Sequence, residues 1–456
     1  MPRFYIIAGV ATETLESSAH VEAARAHCPG LVQVWSPEGP VCRPIPLEGE
    51  LILGREGPFP LHDVRVSRQH CRVSRDGEHW QIEDLGSRNG TFVAGNPLRG
   101  RGRFSNPLPL RLGHCIFLAV PDVESYRSGV TIEQDLVIGP ELRAIRQAIA
   151  QLAESSENLL IVGPSGAGKE NAARYFHASN RPGNRPFVAV NCAAIPEGLA
   201  ERLLFGTTKG AYSGATESAQ GYIQAAHGGT LFLDEVGELD LTVQGKLLRV
   251  LEAHELVVLG STRSQRVDIR VCFATHRDLR RLVVQQRFRQ DLFFRIATPE
   301  VRLPGLAQRL AELPYLIQHT VAQMNPPGAV HCTLVETCLL RSWPGNIREL
   351  IAEVRAAARA SARAGRPQVA RADLSLTAGV AELLASPPEA AVEPPVASST
   401  RLSDRREVEA ALRAELGNVR GAARRLGVHR NQLRRWLDKH GIDISTFHAG
   451  ADEIEP

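Results

Sequence analysis

The chain has 456 residues, 53 Lys and Arg against 50 Asp and Glu, a net charge of +3, and 43% hydrophobic residues. That length holds two to four domains, and the near-even charge excludes a uniformly basic or acidic coat. Only four of the 53 bases are lysines, Lys169, Lys209, Lys246 and Lys439, so each marks a position to inspect for chemistry. No apolar run is long enough for a membrane span, and Glu13 and Glu16 follow the first apolar stretch too closely for a signal peptide. The eight cysteines form no CxxC pair and no zinc spacing, which points to buried thiols in a reducing cytoplasm. In chain order, residues 1–125 carry short alternating segments between Gly/Pro/Asn/Asp turns, and they predict an all-β sandwich. Residues 131–302 alternate the apolar runs Leu159–Val162, Phe187–Val190, Leu231–Leu233 and Ile269–Ala274 with helical patterns, predicting an α/β core on a parallel sheet, followed by helices over 303–374. Residues 375–402, with Ser386–Pro387–Pro388 and Pro394–Pro395, predict a linker. Helical periodicity returns over 403–441, and 442–456 form an acidic tail.

Within the β region three clusters stand out: Gly54–Arg55, Val66–Ser67–Arg68–Gln69–His70, and Leu85–Gly86–Ser87–Arg88–Asn89–Gly90–Thr91. Over residues 30–122 this pattern resembles a forkhead-associated (FHA) domain, which binds phosphothreonine peptides with loops at one end of a β-sandwich. The resemblance implies that Arg55 and Arg68 pair with phosphate oxygens, that Ser67 hydrogen-bonds them, and that Asn89 bonds the peptide backbone; guanidinium and hydroxyl donors suit a phosphate. His70 reads as a structural hydrogen-bonder that holds the loops. The implied partner is a phosphothreonine protein or Ser/Thr kinase, or a phosphorylated site in the same chain. A sandwich without a ligand is the alternative.

Gly163–Pro–Ser165–Gly166–Ala167–Gly168–Lys169–Glu170 follows an apolar strand and opens a helix, the context of a phosphate-binding P-loop. Backbone N–H groups and the helix dipole favour phosphate there, and Lys169 adds a compact charge. Glu170 stands where a generic P-loop has the Ser/Thr ligand of Mg²⁺. Gly228–Gly–Thr–Leu–Phe–Leu–Asp234–Glu235 then ends an apolar strand in two acids. In that pairing Asp234 holds Mg²⁺ through water and Glu235 polarises the attacking water.

Residues 138–350 resemble the AAA+ domain of sigma-54-dependent transcriptional activators (bacterial enhancer-binding proteins). The matching stretches are GPSGAGKE at 163–170, PFVAVNCAAIPE at 186–197, LFGTTKGAYSGA at 204–215, GGTLFLDEVGEL at 228–239, FRQDLFFRI at 288–296 and WPGNIREL at 343–350. The resemblance implies ATP and Mg²⁺ as cofactors, with core 131–302 and helical lid 303–374. It implies that Asn191 restrains Glu235, that Arg289 and Arg295 are fingers to the γ-phosphate of a neighbouring subunit, and that Arg348 is the lid's nucleotide sensor. Fingers acting in trans imply a ring, a hexamer by family default, with a dimer at rest as one possibility. The loop Gly210–Ala211–Tyr212–Ser213–Gly214–Ala215 corresponds to the loop that touches sigma-54. It has Tyr for the usual Phe and Ser for the usual Thr. His276 stands where Asn normally follows Thr275.

From 401 to 441 eleven bases face five acids, a net of +6, a field suited to phosphate backbones. Two helical patterns break at Gly417–Asn418 and a third follows Gly427, with Ala422, Ala423, Leu426, Leu433 and Leu437 at packing positions. The run from Gly417 to Val428 resembles the Fis-type helix-turn-helix. That places Arg430, Asn431, Gln432, Arg434 and Arg435 on the DNA-facing recognition helix. The expectation for the whole chain is a cytoplasmic, three-part regulator. It senses phosphothreonine, binds promoter-upstream DNA and spends ATP remodelling sigma-54 RNA polymerase. The alternatives are an ATP- and DNA-binding regulator that no longer engages sigma-54, acting as repressor or co-regulator, and a non-transcriptional FHA scaffold.

Overall fold

A computed structural model describes residues 28–105, 108–180, 183, 185–196, 198–211, 217–380, 405–415, 419–426, 433, 436–437 and 439–442. The expectations for Tyr212, Ser213, Gly214 and Ala215, and for Arg430, Asn431, Gln432, Arg434 and Arg435, lie outside the described residues. The chain divides into two compact units, 1–384 and 385–456.

The first unit opens with a ten-stranded sandwich of β1 (Gly30–Ser36), β2 (Gly39–Pro46), β3 (Glu50–Leu53), β4 (Cys71–Asp76), β5 (His79–Asp84), β6 (Thr91–Val93), β7 (Asn96–Pro97), β8 (Arg101–Phe104), β9 (Leu108–Leu112) and β10 (Cys115–Val120). One sheet runs β2-β1-β10-β9-β6-β7 and the other β3-β4-β5-β8. Leu31, Ile45, Leu110, Leu112 and Phe117 of the first sheet meet Leu53, Val73, Trp80 and Ile82 of the second in the sandwich core. In a sandwich the outer residues of each strand ordinarily face water. Here β10 is buried at all six positions, because its other face is also covered.

After the hairpin β11 (Thr131–Glu133) and β12 (Leu136–Ile138) comes α1 (Pro140–Ser155), then β13 (Asn158–Val162), α2 (Lys169–Asn180), β14 (Phe187–Asn191), α3 (Ala200–Phe205), α4 (Tyr222–Ala225) and β15 (Thr230–Asp234). There follow α5 (Leu241–Ala253), the hairpin β16 (Glu255–Val257) and β17 (Ser264–Arg266), β18 (Arg270–Thr275), α6 (Leu279–Val284), α7 (Gln290–Ile296) and β19 (Glu300–Arg302). The parallel sheet has the order β14-β15-β18-β13-β19. Its strands are apolar runs because helices cover both faces. Leu159, Ile161 and Cys272 meet Ile149, Ala173 and Phe176 on one side, while Leu160, Val271 and Phe273 join Leu247, Leu251 and Ile296 on the other. The helix α5 starts at Asp240, whose carboxylate accepts from the Thr242 and Val243 N–H groups at 2.9 Å, a cap contributing about 1 kcal/mol.

The lid consists of α8 (Leu313–Ala322), β20 (Ala329–Val330), α9 (Cys332–Leu339), α10 (Asn346–Arg363) and β21 (Gln368–Val369). It covers the outer face of the sandwich. Val32, Val34, Ile116, Leu118 and Val120 share one continuous core with Leu316, Ile317, Val335 and Leu339. The eight cysteines are free thiols, six of them buried. Among the described residues no helix is long and apolar enough to cross a membrane.

In the second unit, α11 (Arg405–Ala414) and α12 (Val419–Arg425) share a small core. Val408, Ala411, Leu412, Ala422, Ala423, Leu433 and Leu437 are buried in it, with Leu426 partly so. The packing positions read from the sequence are therefore the ones that close this core.

Candidate functional site

The loop after β13 turns into α2 through two glycines in the left-handed region, Gly166 (φ +75) and Gly168 (φ +100), so successive N–H groups can converge on an anion. A Cβ on Gly166 would come within 2.3 Å of the Gly345 carbonyl oxygen, so glycine also permits the lid's close approach. Lys169 begins α2 and is 6% exposed. Its Nζ donates to the Gly163 carbonyl (3.2 Å) and stands 3.4 Å from Glu235 Oε1. Glu170 faces away from that cluster. Its Oε1 accepts from Arg174 Nε and Nη2 at 3.1 and 2.6 Å along the helix surface.

Strand β18 lies between β13 and β15, so its end reaches the space between the P-loop and the two acids. Glu235 has φ +54, a left-handed conformation that costs a non-glycine residue about 1 kcal/mol. His276 meets its carboxylate, with Nδ1 2.7 Å and the backbone N–H 3.3 Å from Oε2. Burial pushes the Glu235 carboxyl up, but Lys169 and the His276 bonds outweigh it and hold the group below its ordinary range. Asp234 moves the other way, raised by burial and by the Glu235 charge against the pull of Lys169. Two neighbouring carboxyls are thus driven apart in acidity, as different roles require. Asn191 is not at this cluster's centre. Its Oδ1 accepts from the Ala193 N–H (3.0 Å), and among the described residues no hydrogen bond joins it to Glu235. His276 and Lys169 are the side chains that hold Glu235 here.

The lid reaches the same loop. Asn346 Nδ2 donates to the Ser165 carbonyl (2.9 Å) while its Oδ1 accepts from the Leu306 N–H (2.8 Å). The Ile347 N–H donates to the Gly166 carbonyl (3.2 Å), and Arg348 Nη1 lies 3.4 Å from Ser165 Oγ. An apolar cleft lined by Leu136, Val137, Ile149, Ile347 and Ile351 opens beside Gly166–Gly168, with walls suited to a planar base. Sequence reasoning did not single out these residues or Asn346. They come from segments more than two hundred residues apart, and the separate motifs gave no sign of their meeting. Arg289 at the start of α7 and Arg295 in its last turn are exposed; Arg289 pairs with Asp291 at 2.7 Å and Arg295 Nη2 donates to the Leu251 carbonyl (2.8 Å). Phe294 between them is 67% exposed. Gly210 and Ala211 follow α3 in a turn, with the Ala211 N–H donating to the Thr208 carbonyl (3.2 Å).

In the sandwich, the connection between β3 and β4 gathers Arg55, Ser67 and Arg68. The Arg55 N–H donates to the Ser67 carbonyl and the Glu56 N–H to that of Arg68, at 3.0 and 3.1 Å. Gly54 makes this possible, because a Cβ there would lie 1.9 Å from the Arg68 carbonyl oxygen. His70 is buried and bridges the loops; its Nδ1 accepts from the Ser67 N–H (3.0 Å) and its Nε2 stands 3.2 Å from the Gly90 carbonyl oxygen. Ser67 Oγ accepts from the Arg88 N–H (3.2 Å), and Asn89 Nδ2 donates to the Arg65 carbonyl (2.7 Å). Arg55 and Arg68 are exposed, and among the described residues neither has an ion-pair partner. Arg88, which the sequence reading quoted without a role, stands at the same loop end.

Polar contacts rim the junction of sandwich and lid. Arg111 Nε meets Glu336 Oε2 at 2.8 Å, both largely buried, and the guanidinium lies 3.9 Å above the Phe92 ring. His114 meets His331 edge to face at 5.9 Å. Asp63, in the segment between β3 and β4, accepts from the Arg65 and His114 N–H groups at 3.0 and 2.6 Å.

Three known families match the chain: the sigma-54 interaction domain over residues 137–302, the FHA domain over 51–116, and the Fis family of bacterial regulatory proteins over 400–440. The DNA-binding transcriptional regulator NtrC of Azospirillum brasilense is 39% identical over 345 residues, which are 70% of this chain and 72% of NtrC. The transcriptional regulatory protein GlrR of Escherichia coli (strain K12) is 33% identical over 334 residues, 71% of this chain and 70% of GlrR. A crystal structure of NtrX from Brucella abortus in complex with ATP is 30% identical, covers 66% of this chain and 68% of that one, and superposes with a TM-score of 0.48. With these matches falling in order on the sandwich, the parallel-sheet core and the terminal helices, the chain belongs to the sigma-54-dependent transcriptional activators and carries an FHA domain, an AAA+ ATPase-family domain and a Fis-type helix-turn-helix.

Proposed function

We propose that this activator hydrolyses ATP in a self-assembled ring to remodel sigma-54 RNA polymerase from an upstream DNA site, under control of a phosphothreonine signal read by its FHA domain. The observation that carries the reading is the convergence of Lys169, Asp234, Glu235 and the lid residues Asn346 and Arg348 on one loop. The cradle fits a nucleotide phosphate chain: two left-handed glycines turn N–H groups inward, and among the described residues the buried Lys169 ammonium bonds only the Gly163 carbonyl and Glu235. Bound Mg-ATP would supply the phosphoryl group that water attacks. Lys169 would exchange Glu235 for phosphate oxygens, which frees the Glu235 carboxylate to take a proton from water. Asp234 would hold the metal's water shell, and the cleft at Leu136 and Ile347 would seat the base. Arg289 and Arg295, exposed on α7 beside Phe294, would complete the site of the next subunit, a guanidinium fork suiting a phosphate. A hexameric ring satisfies that arrangement. Asn191, on β14 opposite Asp234, would take hold of Glu235 only in another nucleotide state.

Arg55, Ser67, Arg68 and Asn89 would receive the phosphothreonine. Because the sandwich and lid share one core, ordering of these loops would bear on the element that closes over nucleotide. The Fis-type helices would anchor the assembly on DNA through Arg430, Asn431, Gln432, Arg434 and Arg435, and the loop of Gly210–Ala215 would contact sigma-54. The substitutions Tyr212 and Ser213 favour the second reading, a regulator that binds ATP and DNA without engaging sigma-54. The test of the sensing step is ATP turnover by the full chain with a degenerate phosphothreonine peptide library and its unphosphorylated counterpart. The proposal expects phosphate-dependent binding and changed turnover, both strongly weakened in Arg55→Ala. Equal binding of the two libraries contradicts it.

A further inference from the structure

We propose that His114, His331 and Cys332 form a three-ligand site for a borderline-soft divalent metal ion of the zinc class, which clips the sandwich to the lid. His114 sits in the tight turn between β9 and β10, directly after Gly113 (φ +57). His331 caps α9 and Cys332 is its first residue. The segments are over two hundred residues apart. One nitrogen of each imidazole and the Cys332 sulfur lie within 4.8 Å of one another, and the sulfur is 3.9 Å from His331 Nδ1. A tetrahedral zinc with N and S bonds of about 2.1 and 2.3 Å separates such ligands by roughly 3.6 Å. The side chains therefore need move only by about an ångström to share an ion.

The surroundings suit that role. Asp63 Oδ1 stands 3.3 Å from His114 Nδ1. The carboxylate is itself buried and fixed by the Arg65 and His114 N–H groups. A carboxylate behind a histidine is the arrangement that orients metal-binding imidazoles, and it leaves Nε2 for the ion. His331 Nδ1 accepts from the Thr333 N–H (3.3 Å) and lies 2.8 Å from Thr333 Oγ1, so the α9 cap orients this imidazole. Two imidazoles and a thiol disfavour Mg²⁺ and Ca²⁺, which require oxygen, and favour zinc-class ions. Both histidines are only half-buried, so water can take the fourth position. Of the two guanidiniums that act on the cluster, Arg65 and Arg111, Arg111 is neutralised by Glu336 at 2.8 Å. The sigma-54 interaction match ends at residue 302 and the Fis match starts at 400, so His331 and Cys332 belong to neither.

One ligand comes from the sandwich and two from the lid, so the ion binds only when they are docked and holds them there. Cobalt(II) reports this directly, because a thiolate ligand gives it a sulfur-to-metal absorption band. The full chain, stripped with a chelator, is titrated with Co²⁺ and then with Zn²⁺. The proposal expects one Co²⁺ per chain with the thiolate band, displaced by Zn²⁺, and a Zn²⁺-dependent rise in Tm. Cys332→Ser should abolish the band, His114→Gln should abolish the Tm rise, and Asp63→Asn, acting through His114, should weaken Co²⁺ binding about 10- to 100-fold. A band that persists in Cys332→Ser overturns the proposal. So does a parent chain that shows neither band nor Zn²⁺-dependent Tm, a result independent of whether any variant folds.

Discussion

His276 Nδ1 lies 2.7 Å from Glu235 Oε2, and the same oxygen accepts the His276 backbone N–H at 3.3 Å. The histidine thereby helps hold the Glu235 carboxyl below its ordinary pKa, against burial. Removing it leaves burial less opposed, so the pKa rises and the ionised base is lost at a higher pH. His276→Ala should move the acid limb of the kcat profile for ATP hydrolysis to higher pH and lower kcat at neutral pH by less than the roughly 10²–10⁴-fold that a general base contributes. Superimposable acid limbs in parent and variant would show that His276 does not set the state of Glu235.

Asn346 links three segments, bonding the Ser165 carbonyl with its amide nitrogen and the Leu306 N–H with its oxygen. Asn346→Ala leaves the buried Leu306 donor unpaired, a cost of about 1–3 kcal/mol, and unties the lid from the P-loop. ATP affinity, measured by calorimetry, should fall while the far-ultraviolet circular dichroism spectrum is kept. Unchanged affinity would separate lid docking from nucleotide binding.

How far the sequence revealed this site depends on where each residue came from. The P-loop, Asp234–Glu235 and the loops around Arg55 and Ser67 are contiguous motifs, legible from local spacing. The four apolar runs likewise became β13, β14, β15 and β18 because burial on both faces demands such runs. What was not legible joins distant segments. Asn346 on Ser165, the base cleft, and His276 on Glu235 depend on sheet order, which periodicity does not supply. The six-residue apolar run Cys115–Val120 was the one local sign that the sandwich is covered on its outer face. The cysteines show no CxxC pair and no zinc spacing, which gave no sign of the cluster of His114, His331 and Cys332 that forms only when the lid folds onto the sandwich.

Arg111 and Glu336 join sandwich to lid at 2.8 Å with side chains 14% and 9% exposed. Breaking such a pair from one side strands the other charge, at a cost of up to about 3–5 kcal/mol. Glu336→Ala should lower the Tm clearly, and the double variant Arg111→Met with Glu336→Leu should recover much of it. A single variant as stable as the parent would mean that water reaches the pair freely.

Arg55 is exposed and without a partner among the described residues, so Arg55→Ala should leave Tm unchanged. Loss of one charge-assisted phosphate bond should weaken phosphothreonine-peptide binding about 10- to 100-fold, measurable by fluorescence anisotropy. The remaining affinity should be less sensitive to salt. Equal affinities for parent and variant would place the phosphate elsewhere on the sandwich.

The central claim is that ATP turnover at Glu235 drives remodelling of sigma-54 RNA polymerase. The most direct measurement is open-complex formation on a sigma-54 promoter, with purified protein, polymerase holoenzyme and ATP. The account predicts ATP-dependent opening by the full chain and none by Glu235→Gln, which still binds ATP. A parent protein that hydrolyses ATP at the normal rate yet never opens the promoter would contradict it.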